Sequence, residues 1–409
     1  MPRKYPCPPG FLWGTAISAH QSEGNNVASD CWLAEQVDPT YFRTPSGDAC
    51  DSFERYPEDI ALAAELGFNC HRFGIEWARI EPEPGQFSKS ALDHYRRVLE
   101  ACIEHGLAPV VTFSHFTVPR WFAARGGFEH PDGAAMFARF ADHAARALAP
   151  LMHAATTFNE ANIGRLIPLL PGRAEARPII DAMIAACAKA TGSDWFSSIL
   201  FADQDRILPA LIAAHEQATN AIKAARSDLP VGLTLTMQDI QGVGENHRAE
   251  AVIAQLYGPW LDVARNSDFV GVQTYTRVLV GADGPLGTPA GAETTAAGYE
   301  FYPGALGGAI RFAHERIGRP IWVTENGIAT RNDARRIAYI DAALDEVRQC
   351  LLEGIDVRSY IHWSLLDNFE WVHGYEPRFG LVEVDPASFA RTPKPSARYL
   401  GTIARKNRL

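Results

Sequence analysis

A closed (β/α)8 barrel, the TIM-barrel class, is the fold predicted for this 409-residue chain. Three observations predict it. Eight short, nearly continuous apolar runs recur from end to end, as parallel strands covered on both faces require. Amphipathic helical stretches separate them, which restricts the architecture to a doubly wound sheet or a closed barrel. The turn after the first run reads Ser18-Ala19-His20-Gln21-Ser22-Glu23-Gly24. It lacks the Gly-x-Gly-x-x-Gly of a doubly wound dinucleotide binder, so the barrel remains. No long Pro/Gly/Ser-rich linker parts the chain, and residues 1–409 read as one domain, because insertions carry such barrels past ~400 residues.

The predicted strands are 11–18, 68–77, 108–116, 154–160, 231–238, 269–276, 321–325 and 357–365. Between the first two, Ile60, Ala63, Ala64 and Leu66 share a helical face that Pro57 can open and Gly67 close. After the second, Leu92, Tyr95, Val98, Leu99, Cys102 and Ile103 form an apolar stripe. Ser90 with Asp93 resembles its capping box and Gly106 its stop. The segment 163–205 reads as irregular, apolar and broken by Pro168, Pro171 and Pro178. The turn-rich segment 281–298 reads as a surface insertion. Ile337, Ile340, Leu344, Val347 and Leu351 make the stripe before the last strand, ended by Gly354.

Composition narrows the function classes. A net charge of −10 argues against nucleic-acid binding, which needs a basic face. No run of 18 apolar residues is present, so no membrane span is expected. Seven cysteines form no Cys-x-x-Cys pair, and Cys70 and Cys102 read as buried free thiols. The N-terminus has basic residues without an apolar run behind them, so no signal peptide is read and a cytoplasmic location is expected. The 13 histidines show no metal-ligand spacing, and no phosphate loop appears, so neither metal nor cofactor is expected.

Chemistry enters at the strand ends. Thr157-Phe158-Asn159-Glu160 ends the fourth strand and Val323-Thr324-Glu325-Asn326-Gly327 the seventh. Active sites of (β/α)8 barrels sit at the C-terminal mouth of the strands, so both glutamates face one site. Burying carboxylates costs desolvation, and a pair of them is the minimum equipment for breaking a glycosidic bond. Arg72, on the second strand, needs an anion, and Glu325 is one candidate, whose pKa that pairing would lower; Glu76, of the same strand parity, is the other and a rival third carboxylate. His115 ends the third strand, where a neutral donor suits sugar hydroxyls, although a lone histidine there is more often structural. Trp363, Glu370 and Trp371 follow on the eighth, an aromatic and acidic set suited to gripping a pyranose ring.

These motifs, in this order, resemble family 1 glycoside hydrolases, the β-glucosidase and β-galactosidase family. The likeness spans nearly the whole chain, from 11–24 to 378–385. It implies Glu160 as the acid/base and Glu325 as the nucleophile, with Arg72 and Tyr275 flanking the nucleophile. It implies substrate contacts at Gln21, His115, Asn159, Gln273, Trp363, Glu370, Trp371 and Phe379, and a cis bond at Trp363–Ser364. The chain departs from the usual pattern at Ala161 (usually Pro), Phe116 (usually Trp), Gln273 (usually Asn) and His373 (often an acid). Glu370 argues for an unphosphorylated glycone.

The resulting expectation is a retaining exo-β-glycosidase acting on a small β-glycoside, most simply a β-glucosidase, with galactosyl or fucosyl residues as further possible glycones. A catalytically silent sugar-binding protein on the same scaffold is the alternative in another class; an in-class transglycosylase is the other. The apolar segment 163–201, with Leu166, Ile167, Leu169, Leu170, Trp195 and Phe196, is expected either to wall the mouth or to pack the insertion onto the barrel.

Overall fold

The computed structural model describes residues 5–169 and 175–409. The basic start of the chain through Lys4, together with Leu170 and Pro171 of the insertion, lies outside them. Eight parallel strands close a barrel: β1 Leu12–Ala16, β2 Cys70–Gly74, β3 Ala108–Ser114, β4 Ala154–Phe158, β5 Val231–Thr236, β6 Val270–Gln273, β7 Ile321–Asn326 and β8 Val357–Trp363. Each strand pairs with its neighbours in chain order, and β8 closes on β1, Gly14 opposite Ile361. Nearly every strand residue is buried, because helices cover the outside and the inward side chains fill the bore.

The predicted runs mostly overshoot the ladders by two or three residues at the C-terminal end. Those residues turn out of the sheet toward the mouth. Phe116 (φ 72°) and Glu160 (φ 41°) do so in the left-handed region, which a bulky side chain occupies only when its surroundings hold it there.

The helices differ from expectation at their ends. The helix Lys89–Glu104 is capped by Ser88, whose hydroxyl accepts from Ala91 N at 3.2 Å, two residues before the expected Ser90. Pro57 does not open its helix; it sits inside Ser52–Leu66, which starts after Asp51 and ends at the left-handed Gly67. A proline so near the N-terminus forfeits few intrahelical bonds, so the first turns tolerate it. The segment 163–205 is more ordered than its prolines suggested. It holds the helix Arg177–Thr191, with Pro178 in the first turn, where a missing N–H costs nothing. Part of 281–298 builds a small outer sheet, Gly284–Pro285 against Arg277–Gly281 and that strand against Asp239–Gly242.

Among the described residues no helix is long and apolar enough to cross a membrane. All seven cysteines are free and buried.

Candidate active site

At the mouth, β7 is irregular where chemistry needs it. Its register shifts between Val323 and Glu325 against β6, and between Val323 and Asn326 against β8. Such a bulge re-aims a side chain. Here Glu325 turns to Arg72 of β2, whose Nη1 donates to Oε1 at 2.5 Å, while the Tyr275 hydroxyl donates to Oε2 at 2.6 Å. The ion pair is dry, its side chains 1% and 5% exposed. Removing one member of such a pair strands the other charge, at a cost of about 3–5 kcal/mol. The second Arg72 amino group donates to Asn159 Oδ1, which also accepts from Gln273 Nε2 at 2.9 Å. One network therefore runs from Glu325 through Arg72 and Asn159 to Gln273.

Glu76 is not part of it. Its carboxylate caps a short helix, accepting from Ala78 N at 3.1 Å and Thr117 Oγ1 at 2.8 Å. The rival pairing of Arg72 with Glu76 is thereby excluded, because a capping carboxylate turned to its own helix cannot also reach into the bore.

Glu160 follows Asn159 and is pinned by β5. Its N–H donates to Thr234 Oγ1 at 3.1 Å, and the Thr234 hydroxyl donates to Phe158 O at 2.7 Å. Burial pushes the Glu160 carboxyl up to about 8; the Glu325 charge adds to this, and a Thr236 hydrogen bond and Arg72 oppose it only in part. Burial also raises Glu325 above 4.5, against the pull of Arg72 and Tyr275. The net upward direction departs from the expectation that Arg72 alone would lower it: removal from water outweighs the guanidinium. Glu325 nevertheless has a cation and a hydroxyl on its two oxygens, which favour its charged form, whereas Glu160 has only the Thr236 hydrogen bond. The two carboxyls thus sit in unequal settings, Glu325 ion-paired and Glu160 raised chiefly by burial.

The remaining wall is polar and partly unpartnered. Glu370 accepts from the Trp363 indole and from Gln21 Nε2 at 3.4 Å, while Gln21 Nε2 also donates to Phe369 O at 2.8 Å. Burial holds Glu370 well above the usual carboxylate range. Burial and Arg72 hold His115 well below the usual imidazole range, so it stays neutral. Its ring lies parallel to Trp363 at 5.5 Å and to Trp371 at 6.3 Å. Glu370 Oε1, His115 Nδ1 and Gln273 Oε1 are buried without a protein partner. Buried polar atoms are normally paired, so such a set facing one mouth is matched to the hydroxyls of a ligand. Phe379 packs edge-on to Tyr275, 5.8 Å between ring centroids, next to the donor on Glu325. The Trp363–Ser364 bond is cis, as the resemblance implied.

Asn326 and Gly327 show why their string has its form. Asn326 Nδ2 donates to Thr274 O at 2.7 Å, and Tyr360 donates to Asn326 Oδ1 at 2.9 Å, tying β6, β7 and β8 at the site. A Cβ added at Gly327 would overlap the Trp363 carbonyl oxygen. Gly327→Ala is therefore expected to displace Trp363 and lower kcat/KM by about 100-fold, the scale of a 1 Å misplacement, in a protein that still folds. Activity within threefold of wild type, about the ordinary noise of a neutral surface change, would show that the approach is slack.

Three residues here carried no sequence signal. Thr234 and Thr236 read as ordinary strand threonines. Tyr299, at the end of the supposed surface insertion, has a buried hydroxyl with no partner. Burial raises it well above the usual phenol range, and the charges of Glu370 and Glu160 contribute. Chain folding, not local pattern, brings it beside Tyr275, 6.4 Å between rings.

The model of glycosyl hydrolase family 1 matches residues 3–186 and 263–409. A solved structure described as the apo form of a beta-glucosidase 1317 is 50% identical, with TM-score 0.95, over 97% of this chain and 98% of that one. Beta-glucosidase A of Thermotoga maritima is 27% identical over 98% of both chains. The structure of the Thermotoga maritima beta-glucosidase in complex with glucoimidazole has TM-score 0.85 at 25% identity, covering 99% of this chain and 100% of that one. With the closed barrel and the paired carboxylates at its mouth, these matches establish that the chain is a glycoside hydrolase and belongs to glycosyl hydrolase family 1.

Proposed function

We propose that this enzyme removes terminal β-D-glucosyl residues by double displacement, with Glu325 as nucleophile and Glu160 as acid and then base. The observation that carries the reading is the unequal setting of the two carboxyls: Arg72 and Tyr275 donate to the two oxygens of Glu325, while burial raises Glu160 to about 8. Glu325 attacks the anomeric carbon as the bond to the leaving oxygen breaks, and Glu160 gives that oxygen its proton. The glycosyl ester carries no charge, so the part of the Glu160 rise that came from the Glu325 charge, added to that from burial, disappears. Glu160, now a carboxylate, takes a proton from water as the water attacks, and the anomeric configuration is retained.

Glucose as the glycone is supported by the names of the relatives and by the glucoimidazole bound to one of them. Gln21, His115, Asn159, Gln273, Glu370, Trp363, Trp371 and Phe379 are the substrate contacts proposed. A cytoplasmic location is supported by seven buried free thiols. A panel of aryl β-glucoside, galactoside, fucoside and 6-phosphoglucoside tests the reading, with the anomer of the first-formed product followed by NMR. The glucoside should turn over best and give the β-anomer first; an α-product, or no turnover of any of the four, overturns it.

The aglycone side concerns 163–201. Leu166 and Phe196 are buried, which supports packing of the insertion for those two, while Trp195 is 51% exposed and Leu169 half-buried. If these last two meet apolar aglycones, Leu169→Ala and Trp195→Ala lower kcat/KM for aryl and alkyl glucosides more than for cellobiose, by roughly 3–10-fold per side chain at ~0.8 kcal/mol per buried methylene. Equal losses on all substrates would make the segment packing only.

A further inference from the structure

The loops after β1 and β8 meet beneath Trp371. The backbone of Trp371 is left-handed (φ 52°), a conformation that a bulky residue keeps only when its neighbours over-determine it. Part of that support is local: Glu370 N donates to Gly374 O at 2.7 Å and Gly374 N to Trp371 O at 2.9 Å. The rest comes from the loops after β1 and β3. The His20 ring lies parallel to the Trp371 indole, 5.4 Å between centroids and 12° between planes. Phe116 meets the same indole edge-on at 5.3 Å.

His20 is itself held from behind. Its Nε2 donates to Glu35 Oε1 at 2.7 Å, both side chains fully buried, and its Nδ1 faces Asn26 Nδ2 at 3.2 Å. The other oxygen of Glu35 accepts from Ser46 N at 2.8 Å and from the Ser46 hydroxyl at 2.7 Å. Ser46 O in turn accepts from the Tyr375 hydroxyl, four residues beyond Trp371, and Arg43 N donates to Val372 O at 3.2 Å. One buried carboxylate thus fixes both the ring beneath Trp371 and the strap that receives the far side of its loop.

We propose that Glu35 and His20 are positioning residues for the glycone pocket: Glu35 orients the His20 ring, and that ring sets the plane of Trp371. The proposal rests on the reading of Trp371 as a glycone contact. Neither residue touches the reacting carboxylates, so their effect falls on substrate binding rather than on the chemical step. A buried His–Glu pair serving stability alone would have no reason to lie parallel to a ring of the site.

The test is a double-mutant cycle of His20→Gln and Trp371→Ala on an aryl β-glucoside. Gln keeps an N–H within reach of Glu35 and removes the ring. With Trp371 present, His20→Gln should raise KM about tenfold while kcat stays within about threefold and the pH profile keeps its shape. With Trp371→Ala, the same change should alter KM less than about twofold, because contacting residues couple. Near-UV circular dichroism of the free enzyme should show the Trp371 environment altered by His20→Gln, a readout that needs no turnover. Glu35→Gln is the second variant and should repeat the KM signature. An unchanged KM in both variants, or a full tenfold loss that persists without Trp371, overturns the proposal. So does failure of both variants to fold, which would make the pair a stability element. A wild-type enzyme that hydrolyses no aryl β-glycoside would instead remove the proposed function, and the dichroism would still decide the positioning.

Discussion

Glu325→Ala is expected to stop turnover of aryl β-glucosides, with kcat lower by on the order of 10⁴-fold or more, the scale on which loss of a nucleophile is felt. The carboxylate is the group that Arg72 and Tyr275 hold at the mouth, and no second carboxylate shares those donors. Alanine opens a space on that side of the anomeric carbon. Azide should enter it and restore turnover, attacking once from the nucleophile's face and giving the α-glucosyl azide, with inverted configuration. Two outcomes would remove Glu325 from the role: full activity in the variant, or a β-glucosyl azide as the rescue product.

Glu160→Ala should behave differently. A leaving group that departs without protonation does not need the acid, so formation of the glycosyl-enzyme from a dinitrophenyl glucoside should survive. Cellobiose or an alkyl glucoside should lose about 10²–10⁴-fold, the usual contribution of general acid catalysis. Azide should again rescue, now with retention, because it replaces water at the second step. A loss equal across all leaving groups would deny Glu160 the acid role. The pH profile carries the same assignment. Activity requires Glu160 protonated and Glu325 ionised. In the free enzyme Glu160 is raised to about 8, so kcat/KM should fall as pH rises through that region. The acid limb belongs to Glu325, raised from 4.5 by burial, and Glu160→Ala should erase the alkaline limb while leaving the acid limb in place. An alkaline limb that persists in Glu160→Ala would belong to another group.

The sequence by itself determined the barrel and its polarity. Parallel strands buried on both faces must be continuously apolar, and helices between them must be amphipathic, so the eight-fold alternation was visible without tertiary information. Asn159-Glu160 and Glu325-Asn326-Gly327 were visible for the same reason: an acidic residue at the end of a buried strand breaks the pattern that the strand sets up. What local pattern could not carry was any quantity that depends on two segments meeting. The partner of Arg72 was open between Glu325 and Glu76 until the fold turned Glu76 onto its own helix. Tyr299 sat just past a stretch that read as surface, and His20 in a turn notable only for what it lacked, fifteen residues from its partner Glu35. The direction of the Glu325 shift was read as downward from the Arg72 charge, and the fold reversed it. It is a contest between desolvation and a guanidinium, and its outcome is set by how completely the surrounding strands exclude water. Propensity and periodicity act along the chain and are written in it; burial and electrostatics act across it, and only the assembled barrel decides them.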